Sequence, residues 1–345
     1  MIILAIETSC DDTCVAVVKV KGQKSPSFKI VSNIVSSQVR IHRKWGGVYP
    51  TLAKREHQKN LPIVLKKALF SAKNPKMNLI AVTVGPGLEP CLWVGVNFAK
   101  EIAKKLNLPI LPVNHIEAHI LSNFLTKKNI PLPAVCLIVS GGHTQLILMR
   151  NFANYKILGE TRDDAAGECF DKVARMLGLG YPGGPIISKI AKKAKDRDPS
   201  SIKLPRPMIY QKNYDFSFSG LKTAVLYDYK NRTQKVRRSK KYIQEMATEV
   251  QQAVIDVLIY KTLRATKEYR AKAIILGGGV TANTELRKQF KEKIESEFPN
   301  IQYLIPDIQF STDNATMVAI AAYFHWLRGR KIKPDSIVVN ANLTL

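Results

Sequence analysis

The sequence predicts an α/β protein made of two similar halves. Two segments share one design, in which an apolar strand, a turn of small and polar residues and a second apolar strand follow one another: "MIILAIETSCDDTCVAVVKV" (1–20) and "AVCLIVSGGHTQLILM" (134–149). Elsewhere, apolar strands alternate with amphipathic helices. We therefore expect one half over 1–130 and a second over 131–345, with a hinge near 129–133. The C-terminal end is expected to be able to pack back onto the first half.

The remaining elements follow from hydrophobic periodicity. Apolar residues that recur every three or four positions predict helices, and short apolar runs that end in glycine predict strands followed by turns. This alternation favours the α/β class along the whole chain. The segments that show these patterns are "KREHQKNLPIVLKKALFSA" (54–72), "LIAVTVGPGLEPCLWVGVNFAKEIAKKL" (79–106), "DDAAGECFDKVARMLGL" (163–179), "GYPGGPIISKIAKKA" (180–194), "KYIQEMATEVQQAVIDVLIYKTLRATKEY" (241–269) and "AKAIILGGGVTANTELRKQFKEKI" (271–294).

The composition indicates a soluble protein of the cytoplasm. Hydrophobic residues make up 46% of the 345 residues, enough for sizeable cores. The apolar run at the start is shorter than a secretory signal requires, and no stretch approaches the roughly 20 apolar residues of a membrane span. The cysteines are five, an odd number, and form no C-x-x-C pair. We expect reduced, mostly buried thiols rather than disulfides or a cysteine-type zinc site.

The charge balance is strongly basic. Lysine and arginine total 53 against 27 acidic residues, which gives a net charge of +26. Much of the excess lies in two blocks, 188–206 and 228–242, and the second contains seven basic residues and one acid. Such blocks favour a polyanionic partner, and nucleic acid is the natural one. The alternative is a lysine-rich composition on solvated faces.

Glycine-rich turns occur at four places. Because glycine has no Cβ, backbone N–H groups there can approach an anion, and a helix that starts next adds a favourable dipole. One such turn alone is more often a structural tight turn, but four together favour a nucleotide or phosphate ligand. The G-x-G-x-x-G and P-loop patterns are absent, which excludes those two modes of binding. The turns are Gly85-Pro86-Gly87, Ser140-Gly141-Gly142, Gly183-Gly184 and Gly277-Gly278-Gly279.

Two polar residues near these turns each have two interpretations. Asn283 lies at the start of a predicted helix, where it either caps that helix or contacts a ribose or base. Asp171 lies inside an amphipathic helix, where it either accepts ribose hydroxyls or forms an ion pair with Lys172 or Arg175. The residues themselves leave both questions open.

A pair of histidines stands out in "PVNHIEAHIL" (112–121). On a helix, His115 and His119 share one face about 6 Å apart along the axis, so both imidazoles can bind one divalent metal. A zincin peptidase needs H-E-x-x-H, whereas Glu117 lies about 200° around the helix from His115, which argues against a peptidase. Asp313 precedes a predicted helix and is either a further ligand or the N-cap of that helix. The alternative for both histidines is a place in the core.

Several motifs, taken in order, resemble the TsaD/Gcp family of tRNA N6-adenosine threonylcarbamoyltransferases, formerly described as O-sialoglycoprotein endopeptidases. The resemblance covers essentially the whole chain and is greatest to the bacterial and organellar branch. The motifs are "IETSCDDT" (6–13), "GPGL" (85–88), "NHIEAH" (114–119), "VSGGHTQL" (139–146), "GETRDDAAGECFDKVARMLGLGYPGGP" (159–185), "DFSFSGLKTA" (215–224), "GGGVTAN" (277–283) and "STDNATM" (311–317).

This resemblance implies the ASKHA fold of actin, Hsp70 and sugar kinases, with two RNase-H-like halves around an interdomain cleft. It implies one divalent metal, usually assigned as Fe²⁺, with Zn²⁺ and Mg²⁺ as alternatives. The metal ligands that it implies are His115, His119 and Asp313. The residues that it implies as contacts to threonylcarbamoyl-AMP are Ile138, Val139, Ser140, Gly141, Gly142, Asp171, Gly184 and Asn283.

Four further residues lie at positions that matter in the family pattern. Glu7, Asp11 and Asp12 match the family's first acidic loop, and the resemblance assigns them no definite role. Ser188 stands where some relatives carry an acidic ribose ligand, which puts that one contact in doubt. No catalytic side chain is assigned; the backbone N–H groups of 140–142 are candidate oxyanion donors.

The resemblance implies transfer of a threonylcarbamoyl group from threonylcarbamoyl-AMP to the exocyclic amine of adenosine 37 in tRNAs that read ANN codons, with release of AMP. The partners that it implies are tRNA, a TsaB-like paralogue and a TsaE-like ATPase. No association with a membrane is expected. Three other classes stay open on the sequence: an ASKHA-type ATPase or kinase, a metallopeptidase, which is less favoured, and a non-catalytic RNA-binding scaffold.

Overall fold

A computed structural model describes residues 1–193, 202–330 and 332–345 and divides the chain into two compact units. The first unit comprises Met1–Ile130 together with Pro306–Leu345, and the second comprises Pro131–Ile305. The sequence predicts a second half over 131–345, with a C-terminal end that can pack on the first half. In the structure, Pro306–Leu345 belong to the first unit, because the C-terminal helix packs against the strands of that unit.

The described residues form ten strands, arranged as two five-stranded sheets. The strands are β1 (Ile2–Glu7), β2 (Asp12–Lys21), β3 (Ser27–Ser37), β4 (Leu79–Gly85), β5 (Ile110–Asn114), β6 (Ala134–Val139), β7 (Thr144–Asn151), β8 (Asn154–Glu160), β9 (Ala273–Gly277) and β10 (Gln302–Leu304). The order is β3-β2-β1-β4-β5 in the first unit and β10-β9-β6-β7-β8 in the second.

The described residues also form eleven α-helices. They are α1 (Val39–His42), α2 (Pro50–Ser71), α3 (Glu89–Leu106), α4 (His115–Leu121), α5 (Ala166–Met176), α6 (Gly183–Lys192), α7 (Ser219–Asn231), α8 (Gln234–Arg237), α9 (Lys240–Glu268), α10 (Thr284–Glu297) and α11 (Ala315–Leu327). The predicted helices and strands are present in the predicted order, so the α/β class is confirmed.

The two sheets have the same design. In the first unit, β1, β2 and β3 are antiparallel, and β4 and β5 continue the sheet parallel to β1. In the second unit, β6, β7 and β8 are antiparallel, and β9 and β10 continue parallel to β6. The predicted duplication of the strand–turn–strand segment therefore extends to all five strands of each sheet.

Central strands of both sheets are buried along nearly their whole length, which explains their continuous apolar runs. In the first unit, α2 and α3 pack on each other and on the sheet, and α11 packs on β1 and β2. Ten of the residues in α11 are buried, so this helix is apolar almost all the way round. In the second unit, the 29-residue helix α9 packs against α6 and supplies much of the core.

The cysteines and helices agree with two expectations from composition. All five cysteines are free thiols, and Cys14, Cys91, Cys136 and Cys169 are buried. Burial raises the pKa of Cys91 and of Cys169 to about 12, so these thiols are unreactive at neutral pH. None of the described helices is both long and apolar enough to cross a membrane.

Lys261 is an unusual core residue of α9. Its side chain is fully buried, Nζ donates a hydrogen bond of 3.2 Å to the carbonyl oxygen of Asn213, and the ammonium lies 5.9 Å from the centre of the Phe216 ring. Burial lowers the pKa of Lys261 to about 8, and the positive charge of Arg264 acts in the same direction. Below pH 8 the fold therefore holds a charged amine in a place that solvates it poorly.

We expect Lys261→Met to stabilise the protein at pH 7 by on the order of 1 kcal/mol. The unfolded chain keeps the lysine proton up to its ordinary pKa of 10.5, whereas the folded protein releases it above about 8. Wild-type stability therefore rises with pH across this window, and the advantage of the variant shrinks. Thermal unfolding at pH 7 and at pH 9.5 measures the difference. Exposed Lys267→Met is the control, and an advantage of Lys261→Met that does not change with pH contradicts the prediction.

Candidate functional site

The first candidate site lies in the first unit, where α4 begins directly after β5. Asn114 caps this helix, since its Oδ1 accepts hydrogen bonds from the N–H groups of Ile116 at 2.8 Å and Glu117 at 3.2 Å. The cap makes His115 the first residue of α4 and puts His119 one turn later. Both imidazoles are buried, and their ring centres lie 4.7 Å apart in an edge-to-face arrangement.

Asp313 lies beside both imidazoles. Its Oδ1 is 3.2 Å from Nε2 of His119 and 3.5 Å from Nε2 of His115. The sequence left open whether Asp313 caps the helix that follows. The cap of α11 is instead Asn314, whose Oδ1 accepts a hydrogen bond from the N–H of Met317. The carboxylate of Asp313 is therefore available to face the histidines.

These three side chains fit a divalent metal. One ligand atom from each lies within 4.8 Å of the others. Two ligands about 2.1 Å from one tetrahedral ion lie roughly 3.4 Å apart, which is close to the two spacings to Asp313. Two imidazoles and a carboxylate suit Fe²⁺ or Zn²⁺, whereas Mg²⁺ prefers oxygen ligands. Within the described residues, Nδ1 of His119 has no hydrogen-bond partner, which is uncommon for a histidine that only fills a core. Metal binding itself stays a prediction.

Glu7 holds His115 from the opposite side of the ring. Its Oε2 lies 3.1 Å from Nδ1 of His115 and accepts a hydrogen bond of 2.5 Å from Oγ1 of Thr83. Its Oε1 accepts another of 2.5 Å from the N–H of Ser9. A carboxylate behind a ligand histidine fixes the orientation and tautomer of the ring. Of these residues, Glu7 is a sequence candidate without an assigned role, and the sequence does not indicate a role for Thr83 or Ser9.

The charges of the site are strongly coupled. Burial lowers the pKa of His115, but Asp313 and Glu7 outweigh burial and hold this pKa at about 9. Burial raises the pKa of Glu7, but the charge of His115 outweighs it, and the pKa is lowered. For His119, burial and the charge of His115 keep the pKa low despite Asp313. A protonated His115 therefore offsets part of the negative charge of Glu7 and Asp313.

The acidic loop between β1 and β2 adds negative potential to this region. Burial raises the pKa of Asp12 to about 7 and raises that of Asp11, and repulsion from Asp313 contributes to both. The loop is held in place because the N–H of Gln38 donates to the carbonyl oxygen of Asp11 at 3.0 Å. Carboxylates crowded in this way favour a cation nearby. A direct role for Asp11 and Asp12 stays a prediction.

The second candidate site lies in the second unit, at the end of β6. Ser140 closes a turn, because its N–H donates to the carbonyl oxygen of His143 at 2.8 Å and its Oγ accepts from the N–H of His143 at 3.0 Å. Gly141 and Gly142 are exposed, and neither donates a backbone hydrogen bond to any described residue. Of the predicted oxyanion donors, Gly141 and Gly142 are therefore available, and Ser140 is not, because its N–H is used inside the turn.

Helix α5 begins next to this turn. The N–H of Gly167 donates to the carbonyl oxygen of Ser140 at 3.2 Å, and the N–H of Ala166 donates to Oγ1 of Thr144 at 3.0 Å. A Cβ atom at position 167 would lie 2.6 Å from the carbonyl oxygen of Ser140, so this close approach requires glycine. The positive end of the α5 dipole and two unpaired amides together form a place for an anion.

Two of the other glycine turns serve packing. Gly278 has φ +89°, and a Cβ atom there would lie 2.4 Å from the carbonyl oxygen of Val139. A Cβ atom at Gly87 would lie 2.6 Å from the carbonyl oxygen of Ser9. At both positions the close approach of protein backbone explains why the residue is glycine. Contact of these two turns with a ligand stays a prediction.

Asp171 also has a structural role within the second unit. Its Oδ1 accepts a hydrogen bond of 2.6 Å from the N–H of Gly183, which ties α5 to the first residue of α6. Lys172, one of the proposed ion-pair partners, instead binds Asp164 at 2.6 Å. Gly184 has open space beside it, because the nearest atom to a Cβ there would be 3.9 Å away. Gly184 thus keeps an accessible backbone, while Asp171 has one oxygen engaged.

Asn283 caps α10, which confirms the first of its two interpretations. Its Oδ1 accepts from the N–H groups of Glu285 at 2.9 Å and Leu286 at 3.1 Å, and its Nδ2 donates to Oε1 of Gln251 at 2.8 Å. Of the side-chain amide of Asn283, the second N–H of Nδ2 can still contact a nucleotide.

Ile138 and Val139, which end β6, have fully buried side chains. Strand β6 lies between β7 and β9 and hydrogen-bonds to both. The predicted contact of these two residues with a nucleotide therefore does not involve their side chains. They hold the turn that follows them in position.

The sequence matches a known family. The family model for tRNA N6-adenosine threonylcarbamoyltransferase (TsaD) matches residues 29–320. The enzyme of this name from Thermosipho africanus (strain TCF52B) is 46% identical over 338 residues, which cover 97% of each chain. The enzyme of this name from Geobacillus kaustophilus (strain HTA426) is 43% identical, over 99% of this chain and 96% of that one. The chain belongs to the TsaD family.

Solved structures show the fold of this TsaD-family chain. HypF from T. kodakarensis superposes with a TM-score of 0.60 at 13% identity, over 95% of this chain and 47% of that one. Component A of the (R)-2-hydroxyglutaryl-CoA dehydratase from Acidaminococcus fermentans superposes with a TM-score of 0.54, also at 13% identity, over 94% and 98%. These neighbours are ASKHA-type proteins, so the predicted α/β fold of two similar units is confirmed. The family model and the two relatives confirm the resemblance to the family.

The structure adds supporting residues that the TsaD motifs did not single out. The hydroxyl group of Thr83 donates a hydrogen bond to Glu7, and that of Thr144 accepts one from the first N–H of α5. His325 is hydrogen-bonded to Glu117. A usable signal exists for Thr83, because a polar residue near the end of an otherwise apolar parallel strand commonly faces a site there. His325 lies 208 residues from Glu117, and no local pattern connects the two.

We expect Gly167→Ala to displace the Ser140 turn from α5. The added methyl group would meet the carbonyl oxygen of Ser140 at 2.6 Å, so we expect a Tm lower by several degrees and at least about tenfold weaker binding of AMP. Gly220→Ala in α7 is the control, because its Cβ would meet nothing closer than 3.4 Å and alanine favours helix. Calorimetric titration with AMP and thermal unfolding measure both effects. Unchanged AMP affinity in Gly167→Ala would show that the turn does not bind the nucleotide.

Proposed function

We propose that this TsaD-family chain transfers a threonylcarbamoyl group from threonylcarbamoyl-AMP to N6 of adenosine 37 in tRNAs that read ANN codons. The observation that carries the proposal is similarity over nearly the full length, at 41–48% identity, to enzymes named for N6-adenosine threonylcarbamoyl transfer to tRNA. In the reaction, the adenine amine attacks the carbamoyl carbon and loses a proton. The bond from that carbon to the phosphate oxygen breaks, and AMP leaves with the electron pair.

We assign the adenylate to the turn at the end of β6. The N–H groups of Gly141 and Gly142, beside the N-terminus of α5, are placed to bind a phosphate or a developing oxyanion. The accessible backbone of Gly184 and the second N–H of Asn283 are candidate contacts to the ribose or base. Asp171 positions the start of α6 through its bond to Gly183 and stays a candidate contact to the ribose.

We infer one divalent metal, Fe²⁺ or alternatively Zn²⁺, with His115, His119 and Asp313 as ligands. The convergence of their ligand atoms and the two nitrogen donors support this inference, and the same donors make Mg²⁺ the weakest of the three candidates. When bound, such an ion supplies Lewis-acid chemistry that polarises carbamoyl oxygens. Glu7 orients the ring of His115, and Asn114 fixes where α4 starts.

Basic residues of 228–242 supply a surface for RNA. Six of the seven lysines and arginines in this block are exposed, and the guanidinium of Arg237 lies over the ring of Tyr229 at 5.0 Å. In the block 188–206, residues 194–201 lie outside the described part of the chain. Its last arginine, Arg206, forms ion pairs with Glu249 and Asp256 and is less available to phosphate. We therefore assign tRNA phosphates first to 228–242.

Helper proteins and a cellular compartment also follow from the family resemblance. We propose that a TsaB-like paralogue and a TsaE-like ATPase assist the reaction, and that it takes place in the cytoplasm, where tRNA serves translation. The family resemblance supports these points. Reconstitution with and without each helper protein, followed by analysis of tRNA nucleosides, tests whether the chain needs them.

Other activities are less well supported. An ASKHA-type kinase or ATPase needs carboxylates and Mg²⁺, and the paired imidazoles do not suit that chemistry; release of ADP instead of AMP would favour it. A metallopeptidase needs a general base beside the metal, but Glu117 binds His325 at 2.7 Å on the other side of α4. The geometry therefore excludes Glu117 as the base that the peptidase motif would supply.

We expect modified adenosine in unmodified tRNA that is incubated with this chain, threonine, bicarbonate, ATP and an adenylate-generating enzyme, with helper proteins added. Because first-sphere ligands are removed, His115→Ala combined with His119→Ala should lower the yield more than about 100-fold while the protein stays folded. Mass spectrometry of nucleosides measures the product. His42→Ala, which removes a buried imidazole held by Gln38 and Tyr49, is the control and should keep activity. Full activity in the double variant without metal refutes the metal role.

We expect tRNA binding to weaken steeply with salt. The logarithm of the binding constant should fall against the logarithm of salt concentration by ~0.7–0.9 for each phosphate neutralised. Lys235→Gln combined with Arg238→Gln should flatten this slope by about 1.4–1.8. Lys288→Gln combined with Lys291→Gln on α10 removes equal charge outside the block and is the control. Equal slopes for the two double variants would mean that 228–242 is only solvated.

A further inference from the structure

Glu117 lies between the two histidines in sequence but points away from them. The residue is buried, and its Oε2 lies 2.7 Å from Nε2 of His325. His325 is in the last turn of α11, and Asp313 directly precedes the cap of the same helix. Helices α4 and α11 are therefore joined at two places, by the imidazoles with Asp313 and by Glu117 with His325.

The two joints lie on opposite sides of α4. At 100° per residue, Glu117 is about 160° around the helix axis from both His115 and His119. Along α11 the joints are separated by about 15 Å, since ten residues rise about 1.5 Å each. A helix of seven residues that is attached at one point can turn about that point. Attachment at two distant points fixes its angle and therefore the direction of both imidazoles.

Stability alone does not explain a partly buried carboxylate–imidazole pair at this position. Removing charges from water costs free energy that the pairing roughly offsets, and apolar replacements of similar size are often equally stable. A hydrogen-bonded pair nevertheless fixes the distance between the two helices and their relative direction more strictly than apolar contacts do. The nearby rings of Phe124 and Phe324, with centres 4.9 Å apart, also hold the turn after α4 against α11, but without a directional bond.

We propose that the Glu117–His325 pair is a positioning pair, which sets the orientation of α4 on α11 so that His115 and His119 meet Asp313. The inference rests on the proposed function, because the residues that it positions are the proposed metal ligands. It gives Glu117 a role that the motif "NHIEAH" does not disclose.

Three variants separate positioning from general packing. Glu117→Leu combined with His325→Leu removes both members of the pair together. Glu117→Gln keeps an oxygen that accepts from His325 and should restore the geometry. Phe124→Leu weakens the same helix contact while it leaves the pair intact, so it is the matched control. Thermal unfolding ranks the stability of all three.

Titration with Co²⁺ alone, followed by visible absorption, reports the ligand set without activity. We expect the double leucine variant to bind Co²⁺ 10–100-fold more weakly than wild type, as is usual when groups behind the ligands are lost, with a Tm within a few degrees. We expect Glu117→Gln and Phe124→Leu to bind within about threefold of wild type, although Phe124→Leu unfolds at lower temperature. Wild-type affinity in the double variant, or an equal loss in Phe124→Leu, overturns the proposal.

A second measurement needs no metal. The chain has six histidines, so ring ¹⁵N NMR signals of the metal-free protein can be assigned one by one. In the double leucine variant, the signals of His115 and His119 should shift while that of His42 stays; in Phe124→Leu all should stay. Unmoved His115 and His119 signals overturn the proposal. If wild type binds no Co²⁺ but these signals move, the proposed metal fails and the positioning pair stands.

Discussion

The buried carboxylate of Glu7 sets the strongest constraint on the first unit. A charge at this depth costs much free energy unless several donors reach it, and here His115, Thr83 and Ser9 all do. These donors come from α4, from β4 and from the loop after β1, so those three elements have to meet at one point. The order of the parallel strands brings them there. The buried hydrogen bonds of Glu7 thus determine the position of the His115 ring without any bound ligand.

The second unit repeats the sheet but uses it differently. Where the first unit ends its central strand in a buried acid, the second ends β6 in an open turn whose glycines carry no side chain to fill the space. The same topology therefore carries a cluster suited to a cation in one unit and a turn suited to an anion in the other. The residues at the end of the central strand, and not the order of the strands, make this difference.

Local patterns predicted most of the fold and part of the site. The duplicated strand–turn–strand design, the helix of His115 and His119 and the open Ser140 turn all follow from residues close in sequence. Capping was harder, because Asp313, Asn314 and Asn283 are all residue types that start helices, and only the backbone geometry shows which one does. Long-range pairs were not predictable, since periodicity carries no information on what a buried acid will meet hundreds of residues later.

The return of Pro306–Leu345 to the first unit has a consequence for biosynthesis. A ribosome delivers β1 to β5 early, but α11, which covers β1 and β2, comes only after the whole second unit has emerged. During that interval an apolar surface on the nascent sheet lacks its cover, and aggregation competes with folding. Asp313 is also synthesised late, so a truncated or stalled chain contains Glu7 and both imidazoles but lacks the aspartate that completes the cluster.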